Sequence, residues 1–69
     1  MKIAKEDVKE GMVLKWIGSN NTIRGGEVVD LAESGCFIWR PASGRDHPGS
    51  FYWWDDLLSK DFIEVRQPG

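Results

Sequence analysis

The sequence predicts a mostly β fold: five short antiparallel strands with one helical turn before the last. Two observations carry that expectation. Apolar, β-favouring residues come in short runs, separated by segments rich in glycine, serine, asparagine and proline, which is the punctuation of hairpins and not of packed helices. The run Phe51-Tyr52-Trp53-Trp54 sets four aromatic rings in succession. A pleated strand faces alternate residues to opposite sides, so at least two of those rings must point away from its inner surface.

Taken in order, Ile3 to Glu10 mixes Ile3 and Val8 with charges and ends at Gly11, which suits an extended start and one turn of helix. Met12-Val13-Leu14-Lys15-Trp16-Ile17 is the first strand. The charge at Lys15 puts Val13 and Ile17 on the wetter side, and Met12, Leu14 and Trp16 on the core side. Gly18 to Thr22 is turn chemistry and Gly25-Gly26 a second flexible point, so Thr22 to Arg24 is expected to be an irregular arm. Glu27 to Ala32 and Cys36 to Arg40 form a hairpin about Ser34-Gly35. The loop from Pro41 to Ser50 holds two prolines and leads into the aromatic strand. Asp55 then caps a helical turn through Leu57 and Leu58, with Asp56 favoured by the helix dipole. Phe62-Ile63-Glu64-Val65 closes as the last strand, and residues 67 to 69 are a frayed tail.

Size and composition narrow the function. At 69 residues and 7.8 kDa, the chain is expected to form one domain over residues 1 to 69, with residues 1 to 10 as an N-terminal extension. No run of about 18 apolar residues offers a membrane span, and the N-terminal residues lack a signal peptide's apolar core. Cys36 is the only cysteine, so no internal disulfide is available and a cytoplasmic setting is expected. The net charge of −2 disfavours a partner held mainly through phosphates. Residues 1 to 45 carry seven bases and six acids, whereas residues 46 to 69 carry two bases and five acids, a mild acidic tilt toward the C-terminal third.

In the order and length of their elements, residues 11 to 66 resemble a Src-homology-3-like small β-barrel. The resemblance implies five antiparallel strands closing on one core, with the helical turn before the last. The acidic and aromatic arm of the peptide-binding signalling domains is absent, because Gly18 to Gly26 holds no aromatic residue and no acid. Proline-rich peptide binding is therefore not implied. Bacterial and phage proteins of this size look like such barrels, as do Tudor and KOW modules, and a shared fold does not fix function.

Strand registers turn the aromatic excess into a candidate site. With Ser34 and Gly35 as central turn residues, Leu31 lies opposite Ile38 and Asp30 opposite Trp39. Asp30 belongs outside, so Trp39 and Phe37 face out, while Cys36, Ile38, Val29 and Leu31 face in. The hydroxyl of Tyr52 favours water, which places Tyr52 and Trp54 outside and Phe51 and Trp53 inside. Pairing Trp39 with Tyr52 and Phe37 with Trp54 reconciles the two hairpins. The expected binding surface is Phe37, Trp39, Tyr52 and Trp54 with Arg40 at its rim.

That surface points to a non-catalytic protein-binding or adaptor module, its partner a protein, a peptide or a second copy of the chain. The alternative is a small barrel that grips single-stranded nucleic acid, with Arg24, Arg40 and Arg45 clamping phosphates beside stacking rings. No catalytic residue, cofactor or metal is expected. His47 after Asp46 is read as a solvated loop histidine, Cys36 as a small apolar filler, and Asp55-Asp56 as helix-start acids. One histidine and one cysteine are too few for a typical metal site.

Overall fold

The computed structural model describes residues 1 to 41, 44 and 46 to 68. Its strands are β1 (Val13–Ile17), β2 (Ile23–Leu31), β3 (Gly35–Trp39), β4 (Ser50–Trp53) and β5 (Phe62–Arg66), with helix α1 (Trp54–Leu58) between the last two. They form one antiparallel sheet in the order β4-β3-β2-β1-β5. The fold is therefore mostly β, as the punctuation of the sequence predicts. No helix among the described residues is long and apolar enough to cross a membrane.

Alternation on β1 places Met12, just before the strand, and Leu14 fully inside, with Trp16 only 5 % exposed. Val13, Lys15 and Ile17 take the other side. Val28, Cys36 and Ile38 meet this row from the neighbouring strands, and Trp54, Leu57, Phe62 and Val8 complete the core. The helical turn near the N-terminus is a 3-10 turn at Lys5–Asp7. It delivers Val8 to this core, where Ile3 also packs.

Four local expectations are corrected. Ile23 and Arg24, read as part of an irregular arm, belong to β2, which begins at Ile23 and pairs with β1 from Ile23 to Glu27. Gly25 makes this possible: its φ is +108°, and a Cβ there would lie 2.0 Å from the Leu14 carbonyl oxygen and 2.9 Å from the Trp16 ring. Glycine bends the strand here without ending it. The β2–β3 turn is Glu33-Ser34 and not Ser34-Gly35, since the Ala32 amide donates to the Gly35 carbonyl at 2.8 Å. A bulge between Val28 and Asp30 puts Val28 in the core in place of Val29; Leu31 keeps the side of its partner Cys36 but, at the end of the strand, is 38 % exposed. The extra residue resets the alternation that the hairpin would otherwise impose. Lastly, Asp55 does not cap α1, whose N-cap is Trp53 with no side-chain capping bond. Asp55 and Asp56 sit inside the first turn, where the unpaired amides favour their charge.

Candidate functional site

The register between β3 and β4 decides which rings are available. Gly35 lies opposite Trp53, Cys36 opposite Tyr52, and Phe37 opposite Phe51. Relative to the pairing expected from sequence, β4 is displaced by three residues. An odd displacement exchanges the two faces of a strand. Phe51 and Trp53 consequently share the outer face with Phe37, while Tyr52 shares the inner face with Cys36.

Phe37 and Trp39 keep the outward facing expected of them. The Phe37 and Phe51 rings meet edge to face with centroids 5.1 Å apart, and Phe51 meets Trp53 in the same way at 5.1 Å. Such offset contacts match positive ring edges to negative ring faces. Gly35 makes room for this row. A Cβ there would stand 2.6 Å from the Phe51 ring and 2.1 Å from the Tyr52 carbonyl oxygen. Trp53 ends the row at 62 % exposure.

Tyr52 and Trp54, expected on this surface, lie elsewhere. Tyr52 packs against the core with its ring 5.3 Å from that of Trp16, nearly perpendicular to it. Trp54 is 8 % exposed, and its indole N–H donates to the Ala32 and Glu33 carbonyls at 3.1 and 3.0 Å. Those bonds satisfy its one polar atom and fasten α1 to the β2–β3 turn. The hydroxyl argument fails at Tyr52 because the residue is only half-buried, so the inner face does not bury it outright.

Trp39 stands at the other end of the face, opposite Glu27. Its indole N–H donates to the Gly44 carbonyl at 2.8 Å, and a shallow hollow beside it is lined by Glu27, Val29, His47 and Pro48. His47 is exposed, and its Nδ1 accepts the Gly49 amide at 3.0 Å. This bond holds the loop's approach to β4. The side chain of Arg40 runs along Gly26, and that of Arg24 along Gly18. Neither arginine stacks on a ring among the described residues, where the cation contacts are Lys60 over Trp16 at 5.0 Å and Lys5 over Trp54 at 5.6 Å. Arg45 lies outside the described residues.

Charge around the outer face is mixed. Asp30 sits opposite Phe37 and Glu27 opposite Trp39, whereas Lys15 and Arg66 are held by Glu64 at 3.7 and 3.5 Å. Cys36 is fully buried beneath the face, and burial pushes its thiol from 9.0 up to about 11. A thiol so placed is a poor nucleophile. Among the described residues, no group of three or more His, Cys, Asp or Glu side chains converges as a metal site would. Compared with known proteins, the chain has no significant match to a family model, a curated protein or a solved structure.

The site that emerges is thus Phe37, Phe51 and Trp53, with Trp39 at its end. Phe51 and Trp53 were missed because alternation alone assigns a strand's faces only up to inversion. Gly35 carried the usable signal. A glycine opposite an aromatic strand leaves space above it that a neighbouring ring can fill.

Proposed function

We propose that this chain is a non-catalytic protein-binding module, of Src-homology-3-like barrel type, that docks a protein or peptide partner on the outer face of β3 and β4. One observation carries the reading: the row Phe37, Phe51, Trp53, edge to face and ending in a tryptophan that is 62 % exposed. Tryptophan is enriched at binding hot spots, because one large rigid ring displaces much water at little entropic cost. The barrel reading draws support from the strand order and from the short helix before β5. A cytoplasmic setting is consistent with a single buried thiol.

Nucleic acid is the less favoured partner. Arg24 and Arg40 extend along glycines, and among the described residues neither makes a stacking contact with a ring. A stacking platform with adjacent phosphate contacts is what such binding requires.

The test is affinity capture from the native host's lysate with the tagged wild-type chain and with Trp53→Ala and Phe51→Ala, each with and without nuclease. A protein partner retained by the wild type, resistant to nuclease and lost from both variants is the expected result. Retention by both variants, with circular dichroism showing both folded, would remove the aromatic row from the binding surface. Capture abolished by nuclease would favour the nucleic-acid reading instead.

A further inference from the structure

The sheet has two edges, and they are built differently. β5 carries Glu64 and Arg66, and its first residue exchanges backbone bonds with Met1, the Phe62 amide donating to the Met1 carbonyl at 2.8 Å and the Met1 nitrogen to the Phe62 carbonyl at 3.0 Å. Charge and cover are the usual guards against a foreign strand. β4 has neither. Ser50-Phe51-Tyr52-Trp53 contains no charge and no proline, and no strand among the described residues pairs with its far side.

The backbone groups that face this open side can be identified. The Trp54 amide donates to the Ser34 carbonyl at 3.0 Å, which marks Ser34 and Trp54 as a bonded pair in the continuing β3–β4 register. Bonding in an antiparallel ladder alternates along each strand. Tyr52 and Ser50 therefore direct their N–H and C=O toward β3, and Phe51 and Trp53 direct theirs outward. None of these four outward groups has a backbone partner outside the strand ladders among the described residues.

The geometry points to β4 as the seat of a symmetric strand-edge dimer, in which β4 of a second copy adds antiparallel with the two-fold axis at Tyr52. This register sets Phe51 of each copy opposite Trp53 of the other, so that all four outward groups on each strand are bonded. It also places those two rings side by side on the outer face, as a cross-strand aromatic pair made twice. A second copy suits the edge because an uncharged strand meets no repulsion from its own image. Phe51 and Trp53 belong both to the docking row and to this edge, so the two readings are separated by the amide protection of β4, which docking on the ring face does not require.

Sedimentation equilibrium of the full chain across a wide concentration range tests it, together with amide exchange followed by NMR. Wild-type chain should dimerise, and the Phe51 and Trp53 amides should become protected as concentration rises. Trp53→Lys removes both symmetric ring pairs and places like charges near the axis, so the dimer should weaken by about tenfold or more. Ile63→Lys, at an exposed position of β5, should leave it unchanged. A wild type that stays monomeric at every concentration overturns the proposal. So does a dimer that survives Trp53→Lys, or one in which the Phe51 and Trp53 amides exchange as freely as in the monomer, which would indicate pairing through the ring face. Partner capture by Phe37→Ala, a ring of the docking row that lies on β3 and off the β4 edge, reports separately on the docking function.

Discussion

Trp53 and Trp54 are neighbours in sequence and should be opposites in energetics. Replacing Trp54 by alanine removes a ring that is 8 % exposed, together with the indole bonds to Ala32 and Glu33. A large ring hides about 150 to 250 Å², which at about 25 cal/mol per Å² corresponds to about 4 to 6 kcal/mol of transfer free energy. Measured costs of such truncations run at about 3 to 5 kcal/mol. A chain of 69 residues has a total stability of only about 3 to 10 kcal/mol, so Trp54→Ala should be at best marginally folded. Trp54→Phe keeps most of the ring and should cost about 1 to 2 kcal/mol. Trp53, at 62 % exposure, hides much less area, and Trp53→Ala should cost under about 2 kcal/mol. Urea and thermal denaturation followed by circular dichroism measure all three, with each kcal/mol appearing as about 4 to 8 °C in Tm for a domain of this size. Equal destabilisation by Trp53→Ala and Trp54→Ala would refute the β3–β4 register from which the site is built.

Gly35→Ala should destabilise by more than about 2 kcal/mol in the same assays, because its Cβ would stand 2.1 Å from the Tyr52 carbonyl oxygen and 2.6 Å from the Phe51 ring; a neutral effect would show that β4 does not lie against Gly35. The bulge predicts that Val28→Ala costs about 2 kcal/mol and Val29→Ala less than half of that, an inequality that a regular hairpin would reverse. Cys36 predicts an alkaline loss of stability. Its thiol ionises near 9.0 when unfolded and at about 11 when folded, so between those values the native chain holds a proton that the unfolded chain has lost. Stability should therefore be unaffected by this group below pH 9 and fall by up to about 1.4 kcal/mol per pH unit between them. Cys36→Ala should lack that component when the two pH profiles are subtracted, and identical profiles would contradict the burial of the thiol.

Much of the fold was legible in the sequence because local chemistry and burial agree. The charge at Lys15 fixed the two faces of β1, and Met12, Leu14 and Trp16 point inward as alternation requires. Turn-forming residues at Gly18 to Thr22 and in the loop after Pro41 separate strands where expected. Of the candidate site, Phe37 and Trp39 were legible. A one-residue error in the β2–β3 turn shifts the cross-strand partners by two and so leaves facing unchanged on β3, since the pleat repeats every second residue. β4 offered no such protection. Its four rings are nearly equivalent in apolarity, so neither facing carried a penalty that sequence could reveal, and the polarity of one hydroxyl was too weak to choose.

What the sequence by itself determined was the number, kind and order of the elements, because these follow from side-chain propensities and turn chemistry acting over a few residues. Only the tertiary structure decided which aromatic residues are surface and which are core. That choice depends on registers between strands distant in sequence: the bulge at Val29 and the fit of Phe51 over Gly35. The indole of Trp54, reaching back to the turn at Ala32 and Glu33, belongs with them. A shift of one residue in pairing moves every side chain on a strand to the other face, so small differences in packing free energy at those contacts select between two opposite surfaces.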